Sequence, residues 1–463
     1  MTILTDAMNF GTAMPSTINY TFVPGGRSFP DFGGEVTQAW NAYERRQVAE
    51  ALATFETFID VEFVPTANAR AANFTLYSFD GSDDGLLGAF ELPQPDGTSE
   101  GFFSHTGGGW DENDAGGGLQ QGGFGFVTLL HELGHGMGLE HPFGDPPDFP
   151  GVDDSSDLGD FDLNQGVFTT MTYRDGWQTA PHGTTPSTDY GYQGTPMAID
   201  IAALQELYGA NTTHARGNDT YTLPTANRSG TFYESLWDTG GVDTIRAGAT
   251  ARAATIDLND ATLRAENGGG GFVSFHAGIH GGVTIANGVV IENATGGGGN
   301  DLITGNEARN VLGGGAGADR LAGNAGADRL LGGDGADRLA GGTGSDALQG
   351  GLGADLLSGA AQRDTFVYAA VSESAGRNAD RISDFAVRVD DIDLRAIDWS
   401  AAAGDQAFAF VTGDLTAAGQ VRARQDRASG DTIVEAEVNG GGGVDFQIRL
   451  DGLLTLGAGD FLL

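Results

Sequence analysis

The chain has 463 residues, enough for two or three domains at roughly 100–200 residues each. It carries 63 acidic and 23 basic residues, none of them Lys, for a formal net charge of −40; simple charge attraction to nucleic acid or anionic lipid is excluded, and multivalent cations are the natural partners. Gly accounts for 77 residues and Pro for only 14, and there is no Cys, which excludes collagen, disulfide frameworks, thiolate metal sites and cysteine nucleophiles and directs attention to repeats.

Residues 1–16 lack a basic n-region and an apolar h-region, so an ordinary cleaved signal peptide is not expected and the segment reads as a short, loosely ordered leader. No apolar run of about 18 residues occurs, so no membrane span is expected. Thr17 to about Pro24 reads as a strand, and Glu35 to about Phe58 has helical apolar spacing. Residues 59–65 and 73–79 alternate as strands do, and 88–92 and 100–104 are further short strand candidates in a Gly- and Asp-rich stretch. That stretch holds His105, read as a surface or structural residue, and an acidic run, Asp111-Glu112-Asn113-Asp114, whose relation to any cleft is open. A helix is expected from Gly123–Phe126 through Leu133. A second runs over 196–208, with Pro196 in its first turn and Gly209 as its stop. The acidic run 153–162 reads as a solvated loop, with a cation site as the alternative. Beyond about residue 211 helical signals vanish.

His131-Glu132-Leu133-Gly134-His135-Gly136-Met137-Gly138-Leu139-Glu140-His141 fits H-E-x-x-H-x-x-G-x-x-H at every fixed position. His131 and His135, four apart, leave one face of a helix and can grip one ion. Gly138 suits a positive φ that breaks the helix and lets His141 swing back as third ligand. Three neutral nitrogens leave a coordination position open, as a catalytic zinc requires, and Glu132 sits where a general base is needed. Gly136 departs from good helix chemistry by about 1 kcal/mol.

This motif, followed by Thr170-Met171-Thr172-Tyr173, resembles the metzincin signature with its Met-turn. Pro142, the Met-x-Tyr pattern and PMAIDIAALQELYGAN at 196–211 resemble the serralysin branch. The resemblance implies peptide hydrolysis with Glu132 as general base, Met171 as an apolar base beneath the zinc, and Tyr173 as a displaceable ligand that helps hold the oxyanion.

From Gly296 the chain repeats every nine residues, starting at Gly296, Gly305, Gly314, Gly323, Gly332, Gly341, Gly350 and Gly359. The sixth position is Asp301, Asn310, Asp319, Asp328, Asp337, Asp346, Asp355 and Asp364. The eighth is always apolar, from Ile303 and Leu312 to Leu357 and Phe366. Each glycine-rich half should turn and each x-Leu-x half should form a short strand with Leu inward. Two nonapeptides per coil would then stack carboxylates 18 residues apart about 4.8 Å from one another. Calcium, with its six to eight oxygen ligands, would relieve that repulsion. The pattern resembles the calcium-binding repeat of RTX proteins; the repeat with Asn310 is the weak one.

The serralysin resemblance extends to 215–221 and 237–243, and it implies Gly217, Asp219, Asp238, Gly240 and Asp243 as further calcium ligands, with Glu292 from IEN (291–293). DRISDF (380–385), DIDL (391–394) and the terminal Asp460-Phe461-Leu462-Leu463 resemble that family's C-terminal cap and its uncleaved type I secretion signal.

The expectation is a multidomain α+β chain. A leader or propeptide at 1–16 precedes a metzincin catalytic domain at 17–211. A calcium-binding all-β parallel β-roll follows at 212–367, with nonapeptides over 296–367, and a β cap at 368–463. By resemblance it is a secreted, monomeric zinc endopeptidase with calcium-filled repeats. It would act on protein or peptide substrates and leave the cell through a type I secretion machine. The competing reading is a calcium-dependent extracellular adhesin with an inactive protease domain, which the intact His131, Glu132, His135 and His141 set disfavours; a zinc amidase is a second competitor.

Overall fold

A computed structural model describes residues 2–28, 36–81, 87–110, 117–144, 148–399 and 407–463. The acidic run Asp111–Asp114 lies outside these. The chain forms two compact units. The first comprises Met1–Gly217, Leu223–Gly241 and Asp260–Val289; the second comprises Asn218–Thr222, Val242–Asn259 and Val290–Leu463. The expected single boundary at 211/212 is therefore replaced by an interleaved one. The expected cap at 368–463 joins the repeats in one unit, because strands of 380–382 and 391–393 continue the ladders of the roll.

The first unit begins with α1 (Ile3–Met8), whose Thr2 cap closes a capping box with Thr5. Its Leu4, Ala7 and Met8 are buried, so the expected loose leader is corrected. After β1 (Thr17–Phe22) comes α2 (Ala42–Phe58), then β2 (Glu62–Pro65), β3 (Phe74–Phe79), β4 (Gly88–Phe90), β5 (Ser99–Ser104), α3 (Phe124–Gly136) and α4 (Ala198–Tyr208). Helix α2 starts later than expected because Asn41 caps it, accepting from the Tyr43 and Glu44 amides while Glu44 reaches back to the Asn41 amide. The preceding apolar positions Val36, Ala39 and Trp40 lie outside any helix.

The five strands form one sheet in the order β2-β1-β3-β5-β4. β1, β2, β3 and β5 run parallel, while β4 pairs antiparallel to β5 and forms one edge, with β2 at the other. Helix α3 is buried almost all round, as a central helix with a mean apolar character should be. His105 stacks on Trp110 and sits 3.4 Å from Glu44, a structural position. The 153–162 loop is mostly exposed and ties itself into turns through Asp154 and Asp157.

In the second unit the nonapeptides coil with two strands per 18 residues: Leu312 pairs with Leu330 and Leu321 with Leu339. Consecutive strands alternate between two parallel sheets. All eight apolar eighth-position residues are buried, at most 2% exposed, each worth roughly 1.5–3 kcal/mol of burial. Gly335, Gly344 and Gly353 hold φ near +150°, and a Cβ on any of them would collide with the carbonyl 18 residues earlier; no other residue fits there. Among the described residues no helix is long and apolar enough to cross a membrane.

Candidate metal centre and carboxylate ladder

Helix α3 delivers His131 and His135 one turn apart and extends one turn further than expected. Gly136, costly to a helix, is explained by packing: a Cβ there would lie 2.7 Å from the Phe90 ring. Gly138 has φ +90° and breaks the chain direction, as expected. The segment that returns His141 is then clamped by the N-terminus. Phe10 donates to the Gly138 carbonyl, Glu140 donates to the Met8 carbonyl, and Asn9 bridges Leu139. The ring of Phe143 stacks on His141 at 4.9 Å.

The Nε2 atom of His141 is 3.1 Å from that of His131 and 3.2 Å from that of His135. Two nitrogens each about 2.0–2.1 Å from one tetrahedral ion would be about 3.3 Å apart, so the three fit zinc. The other nitrogens are used to aim the rings. His131 Nδ1 donates to the Thr170 carbonyl and His135 Nδ1 to the Leu139 carbonyl, both at 2.8 Å. A carbonyl only accepts, so Nδ1 carries the proton and Nε2 offers its lone pair. Burial holds His131 well below the usual imidazole range, and it pushes His141 down to about 3; all three stay neutral and ready to ligate.

Met171 is fully buried with its thioether against Gly134, under the helix turn that bears the histidines. Thr170 is fixed by Asp200 in the first turn of α4. Asp200 accepts from the Thr170 amide at 2.7 Å, its hydroxyl at 2.9 Å, the Thr169 hydroxyl at 2.6 Å and the Met197 amide at 2.9 Å. Sequence reasoning misses this residue, although an acid in the first turn of 196–208 is a capping signal. Tyr173 is 57% exposed, with its ring 4.8 Å from His141 and 5.6 Å from His131. Burial, then the nearby Glu132, raises its phenol above the ordinary value.

Glu132 is buried, and burial pushes its carboxyl up to about 8. A cavity of about 200 Å³ opens beside it and His131. A second, of about 430 Å³, adjoins His135 and His141. Leu87 and Gly88 line the first and Phe90 the second, so edge strand β4 runs from one to the other. Gly88 approaches Glu132 so closely that a Cβ would lie 2.6 Å from its Cγ. Asp175, which the sequence does not single out, also lines the first cavity; burial raises its carboxyl to about 7, with the Gln193 amide offsetting part of the rise.

In the second unit the sixth-position residues form two ladders. The Asp319 amide donates to Asp337 Oδ1, Asp328 to Asp346, Asp337 to Asp355 and Asp346 to Asp364, at 2.8–3.0 Å. Asp301 is the start of one ladder, its amide donating to Asp319. The second oxygen of Asp319, Asp328, Asp337, Asp346 and Asp355 is buried and without a hydrogen-bond partner. An orphaned carboxylate oxygen on each coil, among glycine carbonyls, fits a hard oxygen-seeking cation. Asn310 keeps its place in the ladder but spends its amide on the Glu292 carbonyl. Asp380 and Asp390, outside the repeat, continue the two ladders.

The upstream calcium candidates divide between the units. Asp219, Asp243 and Glu292 lie in the second, where Asp219 donates from its amide to Asp243 and Asp243 donates to Glu292. Gly217, Asp238 and Gly240 belong to the first, where the Gly240 amide donates to Asp238.

Residues 198–463 match the family model described as Peptidase M10 serralysin C terminal. "Metalloprotease AprA" of Pseudomonas entomophila (strain L48) is 31% identical over 461 residues, 94% of this chain and 83% of its own length. "Serralysin" of Photorhabdus luminescens is 31% identical over 311 residues, 63% of this chain and 58% of that protein. "Serralysin" of Proteus mirabilis is 30% identical over 319 residues, 64% and 60%. The chain thus spans about three fifths of the length of several curated relatives it matches. A solved subunit, AlgE6R3 of the Azotobacter vinelandii mannuronan C5-epimerase, matches 38% of the chain and 81% of its own at 25% identity with a TM-score of 0.22, which carries no argument. Matched by the family model over more than half its length and by a relative along nearly all of it, the chain belongs to the serralysin family.

Proposed function

We propose that the chain is a secreted zinc-dependent endopeptidase with a metzincin catalytic domain, whose nonapeptide roll is filled with calcium and which leaves the cell by a type I route. The observation that carries the reading is the convergence of three Nε2 lone pairs with a buried glutamate beside them. Zinc on His131, His135 and His141 would supply the Lewis acid that acidifies water and polarises a carbonyl. An extended peptide would lie along edge strand β4, whose free edge can accept another strand. That path passes both cavities and Glu132.

Glu132 takes the proton of the attacking water and hands it to the leaving amine. Its burial suits this work, since taking a carboxylate out of water raises its affinity for the proton it has to carry. The Tyr173 hydroxyl donates to the developing oxyanion. Met171 and Asp200 do no chemistry; they hold the floor and the Thr170 carbonyl that aims His131.

The test is hydrolysis of casein in millimolar calcium, with and without a zinc chelator, beside Glu132→Gln. Chelator-sensitive cleavage that disappears in a variant still holding zinc is the expected result. No cleavage by zinc-loaded wild type would shift the reading to the adhesin.

A further inference from the structure

The cavity beside Glu132 has walls of two kinds. Leu87 and Gly88 from the β4 side and Val127 from α3 are apolar; Glu132, Tyr173 and Asp175 bring the polar groups. Glu132 and Tyr173 have work at the reacting bond. Asp175 has none there, yet it lines the cavity, and its carboxyl, hydrogen-bonded to Gln193, makes no ion pair among the described residues. Arg174, next in the chain, does not compensate it. A carboxylate taken out of water without a counter-cation is costly, and a cationic guest is the group that relieves the cost.

The side of the bond this cavity serves follows from proton transfer. Glu132 must reach the leaving amine, so the amine nitrogen lies next to Glu132. The cavity that Glu132 walls then takes the side chain of the residue carrying that amine. Its volume, about 200 Å³, admits one side chain. An arginine or lysine stem would run past Leu87 and Val127 and bring its charge to Asp175, the arrangement in which long cationic side chains bury their methylenes. A guanidinium could meet the carboxylate with two parallel hydrogen bonds.

We infer that Asp175 is a specificity-determining residue, which makes the enzyme cut on the amino side of Arg or Lys. The inference rests on the peptidase reading above. It is tested on the full-length protein loaded with zinc and calcium. Peptides identical except for Arg, Leu or Glu after the scissile bond compete in one reaction, and product masses locate the cut. In wild type the Arg peptide should win over the Leu peptide by about tenfold or more in kcat/KM. Asp175→Asn should bring that ratio to about one, and Asp175→Lys should turn the preference to Glu. A measurement needing no variant accompanies these: argininamide should inhibit Leu-peptide cleavage by wild type where leucinamide at the same concentration does not. Cleavage without preference for Arg, or a preference surviving in Asp175→Asn, overturns the inference and leaves the peptidase reading standing. No cleavage of any peptide by the loaded protein overturns the peptidase reading itself.

Discussion

Protons should partly replace the calcium proposed for the roll. Burial first, and then like charge along the ladder, raises Asp319, Asp328 and Asp364 to about 6 and Asp355 to about 7 in the ion-free protein. The unfolded value is about 3.9. A group whose folded pKa is raised binds its proton more tightly when folded. Its stabilisation is therefore complete below about pH 4 and is lost as pH rises through 6 to 7. Lifting a carboxyl from about 4 to about 6 is equivalent to about 3 kcal/mol. With the turns beside each ladder open to solvent, screening reduces this to about 1 kcal/mol per carboxylate. Four such carboxylates give about 4 kcal/mol, a large part of the 5–15 kcal/mol that holds a domain together. The assay is hydrogen exchange by mass spectrometry on the full chain in excess calcium chelator, following peptides from 311–367 and correcting for intrinsic exchange rates. Protection should be greater at pH 5 than at pH 7.5, and the calcium concentration that restores it should rise as pH falls. Protection that increases from pH 5 to 7.5 without calcium would refute the reasoning.

Two further predictions concern the histidine site. Asp200→Ala removes the carboxylate oxygen that accepts from both the Thr170 amide and the Thr170 hydroxyl, so His131 should lose its orientation and zinc affinity should fall about 10- to 100-fold, measured by competition with a chromophoric chelator. Removing residues 2–10 deletes the pairing with Gly138–Glu140 that returns His141; zinc affinity should fall by at least as much, and an unchanged affinity would restore the loose-leader reading.

What is legible in the sequence is what recurs at short range. His131 and His135 are one helical turn apart, and Gly138 announces the break before His141. The sixth and eighth positions of the nonapeptide repeat every nine residues, which carries the ladder and its leucine core. What stays hidden depends on partners distant in the chain. Met8 and Phe10 meet Glu140 and Gly138 some 130 residues later, so a segment without visible periodicity reads as a loose leader. Asp200 meets Thr170 across 30 residues. The first turn of α2 misleads for a local reason: Val36, Ala39 and Trp40 happen to match the helical spacing, while the helix starts only at the capping pair Asn41 and Glu44. Asp175 has no signature at all; only the cavity reveals it.

The two proposed metal sites are built on opposite electrostatics, and this decides what removing each metal should do. At the histidine site the ligands are neutral, with imidazole pKa values depressed by burial. Each of two rings is held by an Nδ1 hydrogen bond, and the third by stacking on Phe143, none of which needs the ion. Stripping zinc leaves no uncompensated charge, so the first unit should keep its fold and rebind zinc without refolding. In the ladder the ligands are carboxylates whose second oxygens are buried and unpartnered. Stripping calcium at neutral pH leaves like charges facing one another along each sheet edge, and binding energy there is folding energy. Far-UV circular dichroism of the full chain should therefore be unchanged by a zinc-selective chelator and should lose β signal with a calcium-selective one. Loss of structure on zinc removal would mean that the histidines are not preorganised by Thr170 and Leu139. A β signal that survives calcium removal at pH 7.5 would mean that the ladder carboxylates are neutralised by something other than a cation.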